Sequence, residues 1–220
     1  MDVVALKDEL DRLCAECERK GEPVYGDEQR WHSSGVSDED IAAAEQRLGV
    51  ALPQEVKDVS KVFSGVYIYG PEYPLQQELQ ELRKKAVEVL GEEDAEGAAE
   101  YEDGIHIDAI YSVTEWGVAG TVWDWEAKKS YCEALDDDNP SAPVCCGCAD
   151  DIVRDRFFTH IGCSNYGEVF MDLNPESSNY GALYHTSAMP ACVLVFKIAE
   201  SYLDFIGRQK QALQTFMQAL

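Results

Sequence analysis

Positive charge is scarce in this chain. Lys and Arg together number 18 against 42 Asp and Glu, giving a formal net charge of -24 at pH 7 and a pI near 4.3. Such a surface repels phosphate backbones, so direct nucleic-acid binding is not expected. Long apolar runs are missing as well. No stretch approaches the roughly 20 apolar residues that cross a bilayer, so no direct membrane span is expected. The opening residues, MDVVALKDELDRL, carry acids instead of the basic region of a secretory signal. They also lack the Arg-rich, acid-poor character of a transit peptide. The expected location is cytoplasmic, or organellar if the chain is a processed form.

Signatures of catalysis are absent too. The sequence has no Walker loop, no GxGxxG, no HExxH and no GxSxG. Its four histidines, His32, His106, His160 and His185, are scattered. His160 and His185 fall in one strand-like segment and could face one another, with a structural, hydrogen-bonded role expected for both. Paired carboxylates carry little information in a chain this acidic. No enzymatic activity and no cofactor are expected.

What is present is ample core material. An apolar fraction of 45% in 220 residues fits one large domain, or one domain with an insertion. The negative field attracts a basic partner and speeds its association at low salt. The eight cysteines include a CxxC at Cys14 and Cys17 and a CCGC at Cys145, Cys146 and Cys148. Cys14 and Cys17 share one face of an expected helix. Joined to Cys145 and Cys148 they would have the four donors of a zinc site. Free thiols in a reducing compartment, with no metal bound, are the simpler expectation. Cys132, Cys163 and Cys192 sit in apolar contexts suited to buried thiols.

Residues 2 to 20 read as a helix, with Val3, Leu6, Leu10, Leu13 and Cys17 on one stripe. Gly21 and Pro23 end it, and a polar connector with Tyr25 and Trp31 follows. Ser37 and Asp40 have the spacing of a capping box, and Gly49 suits a left-handed helix end. Leu52 and Pro53 open a short helix whose inner face is Val56, Val59, Val62 and Phe63. Gly65 leads into a strand at residues 66–70. Residues 75–90 read as a helix, residues 92–104 as an acidic loop. Strands are expected at residues 105–116 and 120–127, where Trp116, Trp123 and Trp125 cluster. Residues 135–151 form an acidic loop with Pro and Gly. Further strands are expected at residues 168–173 and 182–185. The stretch from Val193 to Leu220 reads as helical, interrupted at Gly207.

Two segments carry a resemblance. The first contains Glu45, Leu48, Gly49, Leu52, Pro53, Phe63 and Gly65, an acidic helix followed by an LGV–LP step and a glycine after an aromatic residue. The second contains Gly162, Gly167 and Asp172 and is followed by a closing helix with Tyr202, Leu203 and Phe205. In this order and spacing they resemble the SUKH superfamily, the SMI/KNR-like proteins that include fungal cell-wall regulators and bacterial immunity proteins. The chain departs from that pattern at Ser64, where the family usually has Asn, and at Asn165-Tyr166-Gly167, which replaces a double glycine.

The resemblance implies an α+β fold, a mixed, mainly antiparallel sheet of about five or six strands with helices packed on it. The expected organisation is an N-terminal helix and connector at residues 1–34, a SUKH-like domain at 35–206 with an insertion around 71–104, and a helical extension at 207–220. It also implies a non-catalytic protein-binding module, in its sharpest form an immunity protein neutralising a basic, nuclease-like toxin. The alternative is a structural or regulatory subunit of a larger assembly. The acidic loops and the Trp pair are the expected partner-binding residues: Glu92, Glu93, Asp94, Asp136, Asp137, Asp138, Asp150, Asp151, Trp123 and Trp125.

Overall fold

The structure, a computed structural model, describes residues 2–22, 32–66, 107–117, 145–146, 158–164, 167–188 and 193–220. Within these, four helices lie with an eight-stranded sheet. The helices are α1 (Val3–Arg19), α2 (Asp38–Leu48), α3 (Gln54–Ser60) and α4 (Tyr202–Ala219). The strands are β1 (His32–Ser34), β2 (Phe63–Val66), β3 (Ile107–Ile110), β4 (Cys145–Cys146), β5 (Phe158–Ser164), β6 (Gly167–Asp172), β7 (Leu183–Ala188) and β8 (Val193–Ala199). Their order across the sheet is β1-β2-β3-β5-β6-β7-β8-β4.

The six strands between the short edge strands β1 and β4 are antiparallel throughout, and among the described residues the only parallel pairing is β4 on β8. This is the α+β, mainly antiparallel sheet that the resemblance implies. The centre is a meander: β5, β6, β7 and β8 pair in chain order, as strands joined by short turns do.

Local chemistry sets the ends of the first two helices. Asp2 caps α1 through hydrogen bonds from the amides of Val4 and Ala5. Ser37 and Asp40 form the expected reciprocal capping box on α2, and Gly49 ends it at φ 68°. The helix α3 stops at Ser60, so Val62 and Phe63 are not on it; Phe63 begins β2. Only Val66 of the strand expected at residues 66–70 is described, as the last residue of β2.

The expectation of helix from Val193 onward is corrected. Val193–Ala199 is β8, paired along its length with β7, and helix begins only at Tyr202. A short apolar run such as Val193–Phe196 fits a strand inside a sheet as well as it fits a helix. Gly207 does not interrupt α4, which runs through it. Of the strand expected at residues 105–116, β3 occupies Ile107–Ile110, and Trp116 lies in the following turn.

One apolar cluster joins all four helices to one face of the sheet. It contains Leu6, Leu10 and Leu13 of α1, Ile41 and Ala44 of α2, Val56 and Val59 of α3, and Phe205, Ile206 and Leu213 of α4. Ile161, Val169, Met171 and Leu183 meet them from β5, β6 and β7. Trp116, fully buried, tilts against Tyr202 and donates its indole N–H to the Tyr111 carbonyl at 2.9 Å.

The helix α1 lies against α4. Glu9 accepts from Lys210 and Gln214, each at 3.1 Å, and Lys20 donates to the Met217 carbonyl at 3.3 Å. These partners rise together in number, so the two helices run in the same sense across their contact.

Candidate functional site

Several of the residues that carried the resemblance, Glu45, Gly49, Leu52, Pro53 and Asp172, lie at one joint between α2, α3 and the β6–β7 turn. Glu45, on the last turns of α2, reaches past Gly49 to accept the Leu52 amide at 2.8 Å and the Lys57 ammonium at 2.5 Å. The Lys57 hydrogen bond holds the Glu45 carboxyl below the usual carboxylate range. One side chain thereby fixes the reversal between two helices. Arg47 donates to the carbonyls of Val113 and Trp116 at 2.9 and 3.1 Å and holds the turn that carries the buried Trp. Glu55 of α3 accepts the Leu203 amide at 2.8 Å, placing a carboxylate at the amino end of α4.

Asp172 organises the facing turn. Its carboxylate accepts the Asn174 amide and the Ser177 hydroxyl, at 2.9 and 2.6 Å, while its backbone closes the turn with Gly181 and Ala182. Gly181 sits at φ 89°, a conformation that favours glycine, and a Cβ there would lie 3.4 Å from Pro53 Cγ. Tyr180 donates to the Ala51 carbonyl at 2.7 Å. The two resembling segments, far apart in sequence, are thus halves of a single contact, and their polar groups are engaged in building it.

Gly162 has a different role. Register shifts between His160 and Gly162, and a Cβ on Gly162 would fall 2.1 Å from the Ala109 carbonyl oxygen. The bulge brings β3 and β5 closer than any side chain at that position permits.

The two strand histidines do not face one another, which corrects that expectation. His160 pairs across the ladder with Phe170, and Phe170 with Tyr184. His185, the neighbour of Tyr184, pairs with Val169 and therefore points to the opposite face. His160 lies against the Glu168 carboxylate, Nε2 to Oε2 at 2.5 Å, while its Nδ1 is buried with no hydrogen-bond partner among the described residues. Around it is an aromatic group: Phe158 stacks on Phe170 at 4.8 Å, and Tyr184, Phe170 and Tyr111 complete edge and tilted contacts. On the other face His185 is fully buried, and burial pushes its pKa down to about 3.

Cys14 and Cys17 are free thiols, both buried on α1. Burial, then the neighbouring Cys17 and Asp11, pushes the Cys14 thiol up to about 12, and burial also raises Cys17. Cys17 Sγ meets Met217 Sδ of α4 at 3.0 Å. Cys145 belongs to β4, paired with Val193, and Cys148 lies outside the described residues.

The partner-binding residues expected from the sequence, Glu92, Glu93, Asp94, Trp123, Trp125, Asp136, Asp137, Asp138, Asp150 and Asp151, all lie outside the described residues, as does the helix expected at 75–90. Sequence reasoning missed the Glu45–Lys57 and His160–Glu168 pairs, whose partners are 12 and 8 residues apart. Nothing in a single sequence marks such pairs as neighbours, because a helix reversal and a strand ladder bring them together.

The model of the SMI1/KNR4 family (SUKH-1) matches residues 35–208. A comparison with curated proteins found no match.

Proposed function

The chain belongs to the SMI1/KNR4 family (SUKH-1), and from that premise we propose that it is a non-catalytic protein-binding module of the immunity type. Its partner is a basic, nuclease-like toxin whose active site it covers. The observation that carries this reading is the net charge of -24. A protein that binds nucleic acid must present positive charge to it, and an acidic domain of immunity type meets that surface with the opposite sign. The family is generally non-catalytic. The polar groups of the matched segments, Glu45, Asp172 and Tyr180, are occupied by internal contacts and do not form a set open to substrate.

The contact surface in this reading is the acidic stretches at residues 92–103 and 136–151, with Trp123 and Trp125 as apolar anchors. A second reading, a structural or regulatory subunit of a larger assembly, draws on a separate observation. The helix α1 and the last turns of α4 lie outside the matched residues 35–208 and rest on one another as an added helical layer.

Affinity capture from the native organism's lysate, at low and at high salt and read by mass spectrometry, separates the two. A single basic nuclease that leaves at high salt is the expected result, because exposed charge pairs are screened. A salt-resistant set of several subunits overturns it in favour of the assembly role. Replacing Glu92, Glu93, Asp94, Asp136, Asp137 and Asp138 by their amides should slow association on the order of tenfold or more; unchanged association removes the acidic loops from the interface.

A further inference from the structure

The sulfur atoms where α1 meets α4 differ in their access to solvent. Cys14 and Cys17 are buried on α1, and burial pushes both thiols above their ordinary pKa, so the reactive thiolate is scarce at either. Met217, near the end of α4, is half-buried, and a thioether needs no ionisation to be oxidised. Met171 of β6 is fully buried in the sheet. Among the described residues, Met217 is therefore the thioether that a dissolved oxidant reaches first. It also closes the far end of the seam. Its Sδ lies 3.0 Å from Cys17 Sγ, and its carbonyl accepts from Lys20 at 3.3 Å. We propose that Met217 is an oxidation site, and that its conversion to the sulfoxide by a peroxide releases α1 from α4.

The step is a two-electron oxygen transfer. The O–O bond of hydrogen peroxide or an alkyl hydroperoxide breaks, one oxygen forms the S–O bond, and the other leaves as water or as the alcohol. The side chain becomes polar where it was apolar. The 3.0 Å separation leaves no room for an oxygen between the two sulfurs. The sulfoxide either turns outward, which withdraws Met217 from the apolar cluster it packs against, or displaces Cys17. Cys17 stands on the same buried stripe as Leu10 and Leu13, so it moves only with α1. The contacts of Glu9 with Lys210 and Gln214 lie nearer the start of α1 and involve no sulfur, so release begins at the Cys17 end. The helix α1 and the end of α4 lie outside the family-matched residues 35–208, and the ladders of β5, β6 and β7 do not depend on this contact, so the opening is local. A thiol-dependent sulfoxide reductase restores the thioether: two thiols become a disulfide, and the oxygen leaves as water.

The test treats the full-length chain with graded doses of hydrogen peroxide. Peptide mass spectrometry reads the added oxygen at each methionine and cysteine, and amide hydrogen exchange reads the opening of α1. Oxidation at Met217 ahead of Met171 is expected, with exchange of the α1 amides rising by about 5–30-fold. Exchange in β5, β6 and β7 should not change, and a sulfoxide reductase supplied with thiol should return α1 to its starting rate. Met217→Leu keeps an apolar side chain of similar volume and has no sulfur, so peroxide should leave its α1 exchange unmoved whatever happens at the cysteines. Met217→Gln puts a polar group in the place of the sulfoxide and should raise α1 exchange with no peroxide present. Circular dichroism reports whether that variant is folded, and the oxidised parent compared with Met217→Leu carries the test if it is not. Oxidation of Met171 before Met217, unchanged α1 exchange in the chain oxidised at Met217, or an equal rise in Met217→Leu overturns the proposal. A rise that extends to the three strands overturns the local release.

Discussion

The two faces of the central sheet are both buried and are built differently. One face, made of Ile161, Val169, Met171 and Leu183, is aliphatic and lies in the cluster that includes all four helices. The other, made of Phe158, Phe170 and Tyr184, is aromatic and holds a histidine–carboxylate pair, His160 with Glu168. Each face contains a histidine, on strands two apart. His185, among the aliphatic side chains, is driven by burial to a pKa of about 3. His160 is as deeply placed, yet it has a carboxylate at hydrogen-bonding distance. The same residue type is therefore held uncharged by burial on one face and set against a carboxylate on the other. Alternation along the strand decides which: a shift of one register position would exchange them.

If the faces are equally important to the fold, truncating either should cost about the same. Phe170→Ala removes the centre of the aromatic stack and should destabilise the chain by about 3–5 kcal/mol, and Met171→Ala, one residue away on the other face, by about 2–5 kcal/mol. Denaturant midpoints compare them, and a Phe170→Ala loss below about 1 kcal/mol would mean that the aromatic face is peripheral. Gly162→Ala, at the bulge where a Cβ meets the Ala109 carbonyl, should cost about 1–3 kcal/mol or more through forced backbone movement. Thermal unfolding measures this, and an unchanged midpoint would show that β3 and β5 are not as close as described.

The histidines sharpen the comparison through pH. An unfolded chain binds a proton at His185 below about pH 6.5, while the folded chain resists it down to about pH 3. The unfolded state thus holds more protons in that window, and stability falls as pH drops through it, by about 1.4 kcal/mol per pH unit from this group. His185→Gln should flatten that slope relative to the parent chain in urea titrations at pH 4–6.5; parallel slopes would remove His185 as a source of acid sensitivity. Glu168→Gln has the smallest expected effect. It keeps a side-chain oxygen for His160 while removing the carboxylate, and should cost about 1 kcal/mol by thermal melt. A larger loss would make the pair a principal support of the aromatic face.

Features that depend on neighbouring residues were legible from the chain. The capping box at Ser37 and Asp40 and the left-handed Gly49 are local arrangements, and both stand where their spacing puts them. Alternation in residues 168–173 located β6 to within one residue, and that in 182–185 located the start of β7 to within one residue, while the strand runs on three residues further to Ala188. The start of α4 has a local mark of the same kind. Ser201 caps α4 by accepting the Asp204 amide at 3.2 Å, the same Ser-x-x-Asp spacing that marks α2. Read as a helix start, it separates Val193–Ala199 from the helix that follows. The apolar run Val193–Phe196 fits period 2 and period 3.6 alike, so periodicity does not separate strand from helix there.

By itself the sequence determined the strongly negative charge, the two ends of α2 and the family, because composition, caps and motif order depend on residues close in the chain. The tertiary structure alone decided that Glu45 and Lys57 clasp a helix reversal, that Asp172 and Gly181 dock a distant turn against Pro53, that His160 and His185 part to opposite faces, and that Met217 meets Cys17. Each of these depends on strand register or helix contact between remote segments. Those are set by burying the whole apolar surface at once and leave no trace in the spacing of neighbouring residues.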